Sequence, residues 1–266
     1  MRIITWNINS VRARLHLAEQ LIEEAKPDIL CLQEIKCTND QFPAKAFEEA
    51  GYPFQAVRGF KAYHGVATLS KFPLSDPYTL MHSTIDDGRH IAANAEIPQA
   101  GSVAIDNYYI PAGGDIPDRE QNDKFGHKLD FIDAMTNHFT DKKGEDKRIL
   151  VGDLNIAPLE NDVWSHKQVS KVVSHTPIEV EVFTKLQHAL PWVDAMRQII
   201  PASEKLYSWW SYRARDWRAS NRGRRLDHVW ITENLSPKLK AIKVLDHVRD
   251  WEKTSDHAPV QADFEL

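Results

Sequence analysis

Cysteine is scarce in this chain, with two residues in 266, Cys31 and Cys37. They form neither a CxxC pair nor a Cys/His zinc spacing. That excludes a disulfide scaffold and a thiolate metal site, and reads as two reduced structural thiols in a cytoplasmic protein. Long apolar runs are missing too: none approaches the ~18 residues a membrane span needs, and residues 1–8 enter a strand pattern with no basic leader and apolar stretch before it. An excess of basic charge is likewise absent. A formal net charge of -5 argues against attraction to nucleic acid by overall field, so any phosphate partner must be met locally. No Gly/Ser-rich or Pro-rich linker and no low-complexity tract divides the chain, so residues 1–266 read as one domain, long enough to bury its own core.

What is present are short apolar runs, at 3–8, 28–32, 65–70, 90–97, 103–110, 148–154, 226–231 and 260–264, most of them strand-like. Several are apolar at both parities, as in Ile149, Leu150 and Val151, which is the pattern of strands covered on both faces. Helical spacing lies between them. Val11, Leu15, Ala18, Leu21, Ile22 and Ala25 form an apolar stripe, with Ser10 placed as N-cap and Pro27 past the end, and 130–139 reads as a second helix. The pattern predicts an α/β layered sandwich. Residues 158–201 look helical and partly irregular, and suggest no role.

Several strands end in polar side chains. Asp153 and Asn155 stand two residues apart in Gly152-Asp153-Leu154-Asn155, as do Asn7 and Asn9; on a pleated strand each pair shares a face. Glu34 closes another strand, Asp227 sits within a later one, and Asp256-His257 precedes the last. Each has an ordinary explanation: Asn9 as a helix cap, Glu34 paired with Lys36 or Lys61, Asp227 with a neighbouring arginine, His257 as an edge histidine. Coincidence at every tip is harder to explain. Converging on one edge, they would gather carboxylates, amides and an imidazole. So many negative charges need a cation, and a donor set of hard oxygens without thiolates suits Mg2+ or Mn2+.

Residues 207–225 read YSWWSYRARDWRASNRGRR, interleaving Arg213, Arg215, Arg218, Arg222, Arg224 and Arg225 with Trp209, Trp210, Tyr212 and Trp217. Guanidinium forks fit phosphates and flat rings stack on bases or sugars, although a solvated loop with core-edge tryptophans would look similar.

Asn7, Gln33-Glu34, Tyr109 within Asn107-Tyr108-Tyr109-Ile110-Pro111, Gly152-Asp153-Leu154-Asn155, Leu226-Asp227-His228 and Ser255-Asp256-His257-Ala258-Pro259 together resemble the endonuclease/exonuclease/phosphatase superfamily. Within it the likeness is to the exonuclease III type of apurinic/apyrimidinic endonuclease, and it runs the length of the chain in order. The resemblance implies a four-layered α/β sandwich, two stacked mixed β-sheets flanked by helices. It implies Glu34 as principal ligand of Mg2+ (or Mn2+), assisted by Asn7 and Asp256. Asp153 would orient or deprotonate the attacking water, Asn155 would hold that water and a phosphate oxygen, Tyr109 and His257 would meet the scissile phosphate, and Asp227 would brace His257. Arg89, Trp209, Arg213, Trp217, Asn221 and Arg222 would contact DNA. Ala112 departs from the exonuclease III pattern, which has a polar residue there, and the loop after it is differently built; the balance of activities is therefore open.

The expected activity is Mg-dependent hydrolysis of duplex DNA 5' to abasic sites, with 3'-to-5' exonuclease and 3'-end cleaning, by a monomer that binds no membrane. The superfamily also accommodates RNA or sugar and lipid phosphates as substrates, and a catalytically inactive DNA-binding relative is the non-enzymatic alternative.

Overall fold

Ile149 and Val151 face one hydrophobic layer and Leu150 the other, the two-sided burial that an unbroken apolar run predicts. The computed structural model describes residues 1–82, 86–142, 144 and 146–266. Its strands are Arg2–Asn7 (β1), Ile29–Gln33 (β2), Phe54–Arg58 (β3), Val66–Ser70 (β4), Leu74–Tyr78 (β5), His90–Ile97 (β6), Gly101–Tyr109 (β7), Arg148–Asp153 (β8), Val193–Asp194 (β9), Trp209–Trp210 (β10), Gly223–Arg224 (β11), Asp227–Ile231 (β12), Leu239–Val244 (β13) and Val260–Phe264 (β14). The α-helices are Leu15–Ala25 (α1), Ala44–Glu49 (α2), Asp123–Thr140 (α3), His166–Val169 (α4), Pro177–Ala189 (α5), Ala195–Ile199 (α6) and Trp217–Ser220 (α7).

Two six-stranded mixed sheets, ordered β13-β14-β1-β2-β4-β3 and β5-β6-β7-β8-β12-β9, stack face to face, and β10-β11 forms a small ribbon beside them. Ile3, Ile29, Cys31, Ile105, Ile149, Val151, Val229 and Val260 fill the space between the sheets. Leu17, Leu21 and Phe47, from α1 and α2, cover the outer face of the first sheet through Ile4, Trp6, Leu30 and Leu32. Phe131, Ile132, Met135 and Phe139 of α3 join Phe183 and Leu186 of α5 over Tyr108, Leu150 and Trp230 on the second. The layers run α/β/β/α, as expected. Cys31 and Cys37 are buried free thiols, and among the described residues no helix is long and apolar enough to cross a membrane.

The differences from the sequence reading have physical causes. The first helix starts at Leu15 rather than after Ser10, which has φ +87° and caps nothing. The amides of Ser10 and Val11 instead donate to the Glu34 and Ile35 carbonyls, which holds the segment alongside the end of β2. The second helix begins at Asp123, where the Asn122 side chain accepts from the Lys124 amide. Strands β3, β5 and β13 escape the apolar-run criterion because they are sheet edges with mixed burial. In 158–201, Thr176 and Glu179 form a capping box with Pro177 at the first helical turn.

Candidate active site

Strand register builds the centre. Tyr109 of β7 pairs across from Asp153 of β8, and Asp153 across from Asp227 of β12, so three polar groups lie in a row on one sheet. On the other sheet Asn7 pairs with Gln33, and Glu34 follows immediately. At this edge Asn7 joins the two sheets: its Nδ2 donates to Glu34 Oε1 at 3.0 Å and to Asp153 Oδ2 at 2.9 Å. Gly152 makes the approach possible. It sits at φ +140°, and a Cβ there would lie 1.9 Å from the Tyr108 carbonyl oxygen, so no larger residue fits between β7 and the tip of β8.

His257, just before β14, donates from Nδ1 to Asp227 Oδ2 at 2.8 Å, and its Nε2 lies 3.7 Å from Asp153 Oδ2. Ser208 Oγ donates to the same Asp227 oxygen at 2.7 Å, while Asp227 Oδ1 is buried without a partner among the described residues. Asp227 therefore orients the ring, holding Nδ1–H and turning Nε2 toward Asp153.

The pleat argument for Asp153 and Asn155 does not survive. Strand β8 ends at Asp153, and Asn155 adopts φ +53°. The two are coupled by an Asx-type turn, the Asn155 amide donating to Asp153 Oδ1 at 3.0 Å. Asn155 Nδ2 donates to the Ile110 carbonyl at 2.9 Å, which pins the carboxamide. Asn9 likewise lies beyond β1 at φ +50°, not on its face; its amide accepts from Lys36 Nζ at 2.6 Å and reaches Asp256 Oδ1 at 3.4 Å.

Electrostatics divide the cluster. Burial works to raise Glu34, but Lys36 at 2.8 Å, Asn7 and the Tyr109 hydroxyl outweigh it and hold the carboxyl at about 2. Burial raises Asp153, and the charges of Asp227 and Glu34 add to it against the pull of His257 and Asn7. For His257 burial favours the neutral ring, yet the carboxylates of Asp227 and Asp153 prevail and raise it. Tyr109 is raised well above the usual phenol range by burial and by Glu34, so its hydroxyl stays protonated and able to donate. The centre is an imidazolium and a phenol facing carboxylates, one of which holds its proton unusually tightly.

The donor set fits a hard divalent cation. Glu34, Asp153 and Asp256 offer oxygens, and the unpartnered Asp227 Oδ1 leaves a further lone pair in the cluster. Asn7 turns its Nδ2 to the carboxylates while Oδ1 accepts from the Asn9 amide at 3.1 Å, so in this arrangement it organises the acids rather than presenting an oxygen. Asp153, Asp227 and His257 also bring ligand atoms within 4.8 Å of one another, with Asp227 Oδ2 and His257 Nδ1 already bonded to each other.

A cleft of about 660 Å³ opens over Glu34, Tyr109, Asp153, Asn155 and His257. Arg213, Arg222 and Trp209 line it, and the Trp209 indole donates to Asp256 Oδ2 at 2.9 Å. Arg224 lines the cleft as well, while other residues of 207–225 are held within the fold. Arg225 is fully buried between Asp162 and Asp194, and Arg218 is held by Asp250 at 2.6 Å. Trp217 packs on Trp210 and donates to Asp250, and Asn221 accepts from the Trp210 indole, so both brace the segment. Arg89 is buried, ion-paired with Asp87 and stacked 4.8 Å from the Tyr109 ring centroid.

Sequence reasoning missed one wall altogether. Trp164, Val169, Val172, Val173 and Ser174 line the cleft from the segment that suggested no role. The Thr176-Pro177-x-Glu179 cap was the available signal that a defined turn precedes α5.

A family model described as the Endonuclease/Exonuclease/phosphatase family matches residues 4–257. The chain is 30% identical over 276 residues to exodeoxyribonuclease III of Haemophilus influenzae, covering 99% of this chain and 100% of that one. It is 30% identical over 265 residues to the exodeoxyribonuclease of Bacillus subtilis, covering 98% of each. Among solved structures, a 3' phosphatase from Neisseria bound to a product DNA hairpin superposes with TM-score 0.91 at 31% identity, and an AP endonuclease from Archaeoglobus fulgidus with TM-score 0.91 at 30%, each match covering 100% of both chains. With its sheet order, its polar strand tips and these full-length matches, the chain belongs to the Endonuclease/Exonuclease/phosphatase family.

Proposed function

We propose that this protein is a metal-dependent DNA-repair nuclease of the exodeoxyribonuclease III kind, which hydrolyses the phosphodiester 5' to abasic sites and trims or unblocks 3' ends of duplex DNA. The observation that carries it is the His257–Asp227 pair set against Asp153 at the floor of an arginine-lined cleft, with Glu34 joined to Asp153 through Asn7. The full-length relatives that act as exodeoxyribonucleases, and the similar structures described as an AP endonuclease and a 3' phosphatase, support DNA as substrate.

In this reading Glu34 and Asp256 would hold Mg2+, or Mn2+ in its place, with Asn7 setting the Glu34 carboxylate. Such a cation would supply charge stabilisation for the hydrolysis. Asp153 orients the attacking water and takes its proton, a task suited to a carboxylate with raised proton affinity. The water oxygen bonds to phosphorus as the bond to the 3' oxygen breaks, and the departing 3' oxygen takes a proton from solvent, which leaves a 3'-hydroxyl and a 5'-phosphate. His257 and Tyr109 donate to the non-bridging oxygens, where charge develops, and Asn155 holds water and phosphate in line. Arg213, Arg222 and Trp209 seat the duplex by its backbone without reading bases. Phosphodiester hydrolysis needs rate acceleration in the upper part of the roughly 8–23 kcal/mol that enzymes supply, more than any single group gives, so the several donors are required together. Residues 1–266 act in this account as one domain and a monomer in the cytoplasm.

The test is cleavage of an abasic duplex, a 3'-phosphate duplex and an intact end with Mg2+, Mn2+ or EDTA. Metal-dependent incision 5' to the abasic site is expected. Equal cutting of undamaged single strands refutes the abasic preference, and turnover of sugar or lipid phosphates unaffected by removing Arg213 and Arg222 favours the other substrate classes of the superfamily.

A further inference from the structure

Lys128 lies on the buried face of α3, its side chain wholly inaccessible. A lysine in such surroundings is costly unless all three ammonium protons are used. They are. Nζ donates to Glu179 Oε1 at 2.5 Å, to the Asn155 carbonyl at 2.9 Å and to the Ala112 carbonyl at 3.3 Å. Glu179 is equally committed, accepting from the Ser174 amide at 2.9 Å on both oxygens, from the Thr176 amide at 3.1 Å and from Thr176 Oγ1 at 2.7 Å.

The pair therefore ties together three separate segments that line the cleft: the loop at Ala112–Gly114, Asn155 beyond β8, and the turn at Val172–Ser174. Room for the lysine stem comes from Gly113, at φ +91°, where a Cβ would lie 2.9 Å from Lys128 Cδ. Asn155 is held at its amide by Asp153 and at its carboxamide by Ile110, both on the adjoining tips of β7 and β8. Its carbonyl is held by Lys128, which arrives from the helical layer.

We propose that Lys128, anchored by Glu179, is a positioning residue for the hydrolysis, fixing Asn155 and the cleft loops in register with Asp153. The proposal rests on the nuclease reading above. Apolar side chains of similar volume could fill the same space at equal or greater stability, but would hold neither carbonyl. What the charged pair adds is a fixed left-handed turn at Asn155, and misplacement of such a group by about 1 Å is enough to cost roughly 100-fold in rate.

The experiment compares the intact protein with Lys128→Met/Glu179→Gln, which removes both charges while the glutamine oxygen still accepts from Ser174 and Thr176. Expected are a melting midpoint close to that of the wild type, affinity for abasic duplex in EDTA within about 3-fold, an unchanged pH profile, and a single-turnover cleavage rate lower by roughly 10- to 100-fold. A folded double variant that cleaves at the wild-type rate overturns the proposal, as does a rate loss matched by an equal loss of DNA affinity. If the double variant does not fold, Gly113→Ala displaces the lysine stem with its charge intact. The same selective rate loss is then expected, and wild-type cleavage by that variant overturns the proposal. Failure of the wild type to cut any of the DNA substrates refutes the nuclease reading instead.

Discussion

Acidification is expected to unfold this protein through histidines that its core keeps neutral, and His228 isolates the effect. The ring is buried on β12, against Phe183 and Trp230, with Nε2 hydrogen-bonded to the Ile156 carbonyl at 2.8 Å and Nδ1 without a partner among the described residues. Burial, reinforced by the nearby Arg225, lowers its pKa to about 4. The unfolded chain has the ordinary value near ~6.5, so as pH falls the unfolded state takes up the proton first. Stability is thus fully present above ~6.5, is lost as pH falls through that value, and goes on falling until about 4, where the folded state protonates as well. Integrated from pH 8 to pH 5, a group with these two values costs ~2 kcal/mol, or ~4–8 °C in Tm for a chain of this size. His82, lowered to about 3 by burial, adds a similar amount. The assay is thermal melting by circular dichroism at matched ionic strength, wild type against His228→Gln. The variant starts lower but should lose about 2 kcal/mol less than the wild type between pH 8 and pH 5. Parallel pH profiles for the two proteins refute the reasoning.

Three further outcomes are expected. Asp153→Asn should lower single-turnover cleavage by ~10²–10⁴-fold with duplex affinity in EDTA within a few fold, since it removes the base at nearly constant volume, the carboxamide oxygen keeping one of the two bonds from Asn7 and the Asn155 amide; near-wild-type turnover takes Asp153 out of the mechanism. Arg213→Ala/Arg222→Ala should flatten the slope of log affinity against log salt by about 2, each guanidinium neutralising one phosphate, and an unchanged slope removes both from the DNA path. Gly152→Ala should cost ~3 kcal/mol or more, lowering Tm by ~6 °C or abolishing soluble expression, because a Cβ 1.9 Å from the Tyr108 carbonyl must push β7 and β8 apart; a stable, active variant contradicts the close approach.

Burial on both faces wrote a local signature into the central strands, which is why β1, β2, β4, β6, β7, β8, β12 and β14 were legible as apolar runs. Edge strands such as β3 and β13 carry mixed burial and left no such mark. Asn155 was singled out for the wrong geometric reason: it aligns with Asp153 through a left-handed turn, a backbone conformation that a pleat argument cannot anticipate. Glu34 paired with Lys36 was one of the ordinary explanations weighed for it, and the ion pair is present within the cluster rather than in place of it. Arginines of one segment could not be sorted by sequence into free and committed, because Asp162, Asp194 and Asp250, which hold Arg225 and Arg218, come from elsewhere in the chain.

By itself the sequence determined the class of fold, the residues at the strand tips and the family they resemble, since each of these is carried by side-chain type and local spacing. Only the tertiary structure decided which arginines face the cleft, how Asn7 joins the two sheets, and that a lysine on the hidden face of α3 reaches the backbone of Asn155. These are contacts between groups 27 to 146 residues apart in the chain, and they exist only once packing has closed the layers on one another.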